Sequence, residues 1–450
     1  MATRLRPFLF LGLAAVLAAG VYLWRASQTE PAPLPDDLEQ VAPSASFDNV
    51  EESVEYYREK VRRNPDDVQS RVRLAQALTQ LARETGDEFT LIPEAVENLE
   101  AALELDPDHY HGRTLWASTL NKLHRFEDAR DLARELIAEY PSHSYTRGVL
   151  VDALVELGEY EEAVAQADEM VAIRPGLPAY ARISYLRELH GDAQGAIQAM
   201  TLAAQAEAPG RDDRSWALHT LAGLYMGEAA LDSAETVYNG ILEEAPGFAP
   251  ALAGLGHIAL ARGDAQQAIA RIEEARGFRA DGSFDELLVE AYAMAGDEAK
   301  SREAAERVYE ELLGAREMGE IVDMEEADFL LDQDRDLERS LRLAQEQQAR
   351  RPGHMHANET LAWALMKNGR AQEGIPYIER AMRLDTGDAM VHYRAARIYE
   401  AAGNAAEAAR HLRIALDGNV GIESPTTEQE ARALLASMGD APPVQTTSAR

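Results

Sequence analysis

Cysteine is absent from the 450 residues, which excludes disulfides, thiolate zinc sites, iron-sulfur clusters and cysteine nucleophiles together. Lysine is nearly absent: Lys60, Lys122, Lys300 and Lys367 are the four present, so no polybasic tract of the kind that holds nucleic acid or anionic lipid can form. Against 44 basic residues stand 78 acidic ones, a formal net charge of −34. Such a chain repels phosphate backbones, and no nucleic-acid partner is expected. Glycine (30) and proline (19) are too few for a collagenous or disordered chain, while 46% hydrophobic residues suffice for a substantial core.

Catalytic signatures are missing too. There is no Gly-x-x-x-x-Gly-Lys loop, no Gly-x-Ser-x-Gly elbow and no His-Glu-x-x-His. GLGHIA, from Gly254, has the loose dinucleotide spacing but lies inside a helical pattern rather than after a strand. DQDRDLE, from Asp332, begins like a calcium loop, yet Leu337 and Leu343 stand where that loop needs Gly and Glu. The pairs His109 with His111 and His354 with His356 could hold a transition metal, but both fall just after a block-closing proline, where polar residues cap helices. Catalytic, cofactor-binding and metal residues are therefore expected to be none.

A long uncharged run stands near the N-terminus, from Pro7 to Trp24, with Arg4 and Arg6 before it and Arg25 after. At about 1.5 Å per residue it reaches roughly 27 Å, enough to cross a hydrocarbon core with some thinning. The arginine bias keeps the N-terminus in the cytoplasm and exports the rest. Residues 1–25 are read as a signal-anchor or transmembrane segment, placing the protein on the periplasmic side of the inner membrane in a bacterium. Small Ala18, Ala19 and Gly20 leave a cleaved signal peptide, and a secreted product, as the alternative. Residues 26–47, rich in Pro, Ser and acid, read as an extended linker.

Beyond Phe47 the chain repeats. Pro107, Pro141, Pro175 and Pro209 recur at 34 residues, and an independent small-residue marker runs through Ser53, Ala95, Ala129, Ala163, Ala196, Ala234, Ala268, Ser301, Ser340, Gly374 and Ala408. In several blocks a glycine stands five residues ahead of the marker, as in Gly158 and Gly263, and ends one helix. In residues 249–280 apolar positions recur at helical spacing on both sides of Gly263, with Asp264 placed to cap the second helix. A single hairpin of this kind cannot bury its apolar face, so neighbours must stack into one solenoid.

Leu221, Ala222, Tyr225 and Ala234, and likewise Leu255, Gly256, Gly263 and Ala268, follow the pattern of the tetratricopeptide-repeat (TPR) family, which the chain resembles from residue 48 to about 420. LPAYARISYLRELHGD, residues 177–192, is similar to segments of large bacterial TPR proteins of unsettled function. The resemblance implies an all-α, right-handed solenoid: a lone helix at 48–64, ten helix pairs, and a capping helix within 421–440, with Thr427 as its cap and 441–450 as a disordered tail. Extra residues around Arg83 to Pro93 are expected to lengthen a helix or form a protruding loop, and the long block from Ser301 to Ser340 is expected to have an extended second helix.

The family's register puts the first helix of each pair on the concave side. It presents Arg182, Tyr185, Glu188, Trp216, His219, His257, Trp363, Tyr393, Arg394 and Arg397 as candidate partner-binding residues, Arg182 being expected to welcome an acidic group and Tyr185 and Trp363 being equally suited to packing between helices. The Lys and Asn clamp of chaperone-tail-binding members is replaced here by Val72 and Gln76, so that activity is not implied. The expectation is a membrane-tethered scaffold without chemistry of its own, holding a protein or peptide in the groove. Envelope assembly through end-to-end self-association, or an enzyme with a site near residues 310–340, is the alternative.

Overall fold

The computed structural model describes residues 49–279 and 281–438. The expected anchor, linker and tail lie outside these residues. Among the described residues no helix is long and apolar enough to cross a membrane.

The described chain is all helix. A lone α1 (Val50–Arg63) precedes ten pairs: α2 (Val68–Thr85) with α3 (Glu88–Leu105), α4 (Tyr110–Lys122) with α5 (Phe126–Glu139), α6 (Ser144–Leu157) with α7 (Tyr160–Ile173), α8 (Leu177–Leu189) with α9 (Ala193–Gln205), and α10 (Asp212–Gly227) with α11 (Leu231–Glu244). The array continues with α12 (Ala249–Ala261) and α13 (Ala265–Phe278), α14 (Gly282–Met294) and α15 (Glu298–Glu317), α16 (Asp323–Asp332) and α17 (Leu337–Arg350), α18 (Met355–Lys367) and α19 (Ala371–Ala381), and α20 (Ala389–Ala401) and α21 (Ala405–Asp417). Short α22 (Val420–Glu423) and α23 (Pro425–Ser437) close it.

The small-residue marker is where the two helices of a pair touch. Ala129, Ala163, Ala196, Ala234, Ala268 and Ala408 are all fully buried. Where serine replaces alanine, its hydroxyl donates to a carbonyl of the partner helix: Ser301 to Val289 at 2.9 Å and Ser340 to Ala327 at 3.0 Å. On the facing helix a Cβ at Gly256 would lie 2.6 Å from Cγ1 of Ile272, so only glycine permits this approach. Ile272 stands in the buried row Ala268, Ile272 and Ala275 that packs between pairs, and its burial contributes about 1.5–3 kcal/mol. Turn chemistry also repeats: Gly263 adopts φ +81°, and the Asp264 carboxylate then accepts from the Gln267 N–H at 3.0 Å.

The longer blocks do lengthen helices. α2 and α3 each run to 18 residues and α15 to 20. At the C-terminus the cap is Ser424 rather than Thr427. Its hydroxyl accepts from the Thr427 N–H at 3.1 Å, because Pro425 occupies the first helical position and starts the helix three residues earlier than a cap at Thr427 would.

Curvature follows from unequal packing of the two helix rows. First helices pack on the first helices of the next pair, as α4 does on α6, α16 on α18 and α18 on α20, whereas the second helices are splayed. The first helices therefore form the inner wall. The curve is tight enough for the chain to meet itself after one turn at a nearly constant interval. Arg279 donates to the Arg83 carbonyl 196 residues away. His124 bonds the Ile321 carbonyl 197 away. Arg351 donates to Glu156, and the Met355 N–H to the Tyr160 hydroxyl, each 195 away. At Gly158, whose φ is +73°, a Cβ would overlap the backbone of Gly353 and His354 on the next turn.

Candidate partner-binding surface

The inner wall divides the candidate residues into two groups. On α8 and α10, Tyr185 and Trp216 are 46% and 48% exposed, large aromatic faces open to solvent. Glu188 is exposed beside them. Arg182 is already committed: its guanidinium grips the Asp152 carboxylate at 2.5 and 2.8 Å and donates to the carbonyls of Gly148 and Pro178. An incoming acidic group would have to displace Asp152. His219 sits against the rings of Tyr238 and Phe248, and burial pushes it down to about 4, so it stays neutral.

The second group is largely closed. Trp363 and Tyr393 are 7% and 5% exposed, packed in the core. Arg394 lies over the Trp363 ring and donates to Glu359 at 2.8 Å and to Asp332 at 3.4 Å. Burial works against charge on Glu359, but Arg394 and His356 outweigh it and hold the carboxyl at about 2. Tyr393 donates to Glu430 of α23 at 2.6 Å and accepts from Arg397 at 2.9 Å. His257 is met by the chain itself: its ring Nε2 donates to the Ile422 carbonyl at 2.9 Å, and Ile422 packs against the cluster of Ala222, Met226 and Ala251. The register places these residues on first helices. It could not show that neighbouring turns and the C-terminal segment cover them.

What the register missed is a cavity of about 520 Å³ where the two turns meet. Asn121 and Lys122 of α4, Asp152 and Glu156 of α6 and Tyr185 of α8 line one side; Met324 and Glu325 of α16, with His354 and His356 at α18, line the other. Of the ten candidates only Tyr185 reaches it. Glu156 falls one turn after Asp152 on the inner face, a signal present in the sequence, but its opposite wall comes from residues nearly 200 positions later.

Carboxylates dominate the inner wall. Burial raises the pKa of Glu156, Glu188, Glu286, Asp332 and Asp388, and in each case another carboxylate adds to the rise: Glu325, Asp388, Asp332, Asp328 and Glu359 respectively. Glu423 is pushed up to about 7, by burial first and then by Asp388 and Glu359. Glu188 and Tyr185 are open to water yet have protein around them on most sides, which marks an enclosed interior rather than an outer face.

The first histidine of each pair caps a helix. His109 accepts from the Gly112 N–H at 3.0 Å and His354 from the Ala357 N–H at 3.3 Å, as helix caps do. Among the described residues no three His, Asp or Glu side chains are placed to share an ion. Near residues 310–340 the chemistry is a buried ion cluster: Glu326, 1% exposed, receives Arg316 at 2.6 Å and Arg339 at 2.8 Å.

Tetratricopeptide-repeat family models match residues 120–184, and residues 91–143, 324–389 and 359–421. With ten stacked pairs around a concave inner wall, the chain is a tetratricopeptide-repeat protein, of the class that serves as protein-interaction scaffolds. It is similar to the crystal structure of a thermophilic TPR protein of Thermus thermophilus, with 24% identity, 40% of this chain and 92% of that one covered, and a TM-score of 0.35. It is also similar to the Cut9–Hcn1 hetero-tetramer of the APC/C, with 14% identity, 87% and 93% covered, and a TM-score of 0.39. No curated protein matches the sequence.

Proposed function

We propose that this TPR protein is a scaffold that holds an extended segment of a partner protein against its inner wall, tethered to the extracytoplasmic face of a membrane by the run Pro7–Trp24. The observation that carries the groove reading is the pair of open aromatic faces, Tyr185 and Trp216, on consecutive first helices. Exposed aromatics on an enclosed, otherwise acidic wall are placed for burial by a partner rather than by the chain. The acidic wall favours a basic partner segment. The C-terminal end of the array is covered by α23, with Ala431 fully buried against it, which favours a binder over a subunit stacked end to end.

A photo-crosslinking residue at position 216, compared with one at exposed Glu274 on the outer helix α13, tests the groove. Adducts from position 216 alone support it, and adducts from position 274 alone would place binding on the outer surface. Retention of the full chain in the membrane pellet after a carbonate wash supports the tether. Recovery of a mature N-terminus near Val21 would replace the tether with a secreted product.

A further inference from the structure

We infer that the cavity between the two turns is a subsite for one cationic side chain of the partner, a guanidinium or alkylammonium group. The inference rests on the scaffold reading above and gives one position of the bound segment its chemistry. Its volume of about 520 Å³ falls within the range of small-molecule sites.

Two acceptors in it are shut off from water and have no donor: Asn121 Oδ1 and Glu325 Oε2. The orientation of the Asn121 amide is set by the other end, where Nδ2 donates to the Val149 carbonyl at 2.9 Å, so the oxygen is the atom left over. An unmet buried acceptor is costly, and an occupant bearing several N–H donors supplies what these acceptors lack.

The charges already present point the same way, since each fixed cation in reach is spent. Lys122 is bound to Glu88 at 2.7 Å. Arg351 reaches Glu156 at 3.3 Å. His356 is held by Asp328 at 2.9 Å and Glu359 at 3.2 Å. Glu325 is left with the His124 ring, 3.6 Å away, as its neighbour. An anionic occupant would be repelled by Glu325, which has no close fixed cation beside it. A neutral apolar one would leave both orphaned acceptors without donors. A planar guanidinium offers donors of the kind Glu325 and Asn121 lack and a flat face for the half-exposed ring of Tyr185, all three of which line the cavity.

The test uses the full chain and three probes in titration calorimetry at about 150 mM salt, where loose attraction to an acidic protein is screened. The probes are a blocked Gly-Arg-Gly tripeptide, its citrulline counterpart and agmatine. Saturable one-to-one binding of the arginine tripeptide, with the citrulline form weaker by about tenfold or more, is expected. Glu325→Gln should weaken the arginine probe by about tenfold, whereas Glu286→Gln, which removes the same charge from the inner wall outside the cavity, should not.

Equal binding of arginine and citrulline, no saturable heat, or equal loss in both variants would overturn the subsite, and the citrulline comparison holds even if a variant folds poorly. Agmatine binding as tightly as the tripeptide would assign the cation to a free small amine, and tighter tripeptide binding to a chain. Crosslinking at position 216 without arginine binding would leave the scaffold standing and remove this subsite alone.

Discussion

The backbone N–H of Met355 donates to the hydroxyl oxygen of Tyr160 at 3.0 Å, so that the first residue of α18 is held by the first residue of α7 on the previous turn. Neither group has another use there. The N–H is one of the four that every helix leaves unpaired at its start, and the phenol is 1% exposed, its pKa raised mainly by burial. Tyr160→Phe keeps the ring under Arg383 but orphans the amide. A loss of about 1–3 kcal/mol is expected, read as a lower denaturant midpoint. An unchanged midpoint would mean that water reaches Met355.

Two glycines with similar backbones should respond differently to the same change. Gly158 and Gly263 both have positive φ, +73° and +81°, and alanine at either pays about 1–2 kcal/mol for the left-handed conformation. At Gly263 nothing lies within 4 Å of the added carbon, whereas at Gly158 the backbone of Gly353 and His354 is in the way. Gly158→Ala should therefore cost clearly more than Gly263→Ala in thermal melts. Equal losses would show that the turns are not packed at this point.

Acid should destabilise the last pair through His411. Burial, then Arg410 and His392, push this ring from 6.5 down to about 3. Its Nε2 accepts from Arg410 at 2.6 Å, a bond that protonation destroys. Below about 6.5 the unfolded chain takes up a proton that the folded ring refuses, so the contribution of neutral His411 is complete above that pH and falls progressively toward about 3. His411→Gln should lower stability near neutral pH yet show a shallower decline between about pH 7 and pH 4 than the parent. Parallel declines would remove His411 as a source of acid sensitivity.

Removing α23 should expose the end of the array. Ala431 is buried against the cluster of Ala389, Tyr393, Leu412 and Ala415, and Glu430 holds the Tyr393 hydroxyl. A chain ending at Ser424 should melt several degrees lower and aggregate more readily, about what loss of a few kcal/mol predicts in a domain of this size. Equal stability and solubility would show that α23 caps nothing.

The pairs themselves were legible because their markers have a local cause. Ala268 is small since Gly256 of the facing helix closes on its backbone, and Gly263 and Asp264 act within their own turn. The inner face was legible for the same reason: register is a property of one helix. Trp363, Arg394 and His257 looked available because their occupants, Arg394 over the indole ring, Glu359 and Asp332 on the guanidinium and the Ile422 carbonyl on the imidazole, belong in each case to other repeats. The cavity was invisible on these grounds too, since Glu156 meets Arg351 only after the small rotations of many pairs have accumulated into a full turn.

That closure changes how the protein should come apart. In an open repeat array each unit leans only on its immediate neighbours, so ends fray independently and stabilities nearly add. Here Arg83, His124, Glu156 and Tyr160 each bond a residue 195 to 197 positions later, so melting any unit of the first turn also strips the unit lying over it. The two turns lose structure in one concerted event, and refolding must bring together segments far apart in the chain, which makes it slower than local helix pairing alone would allow.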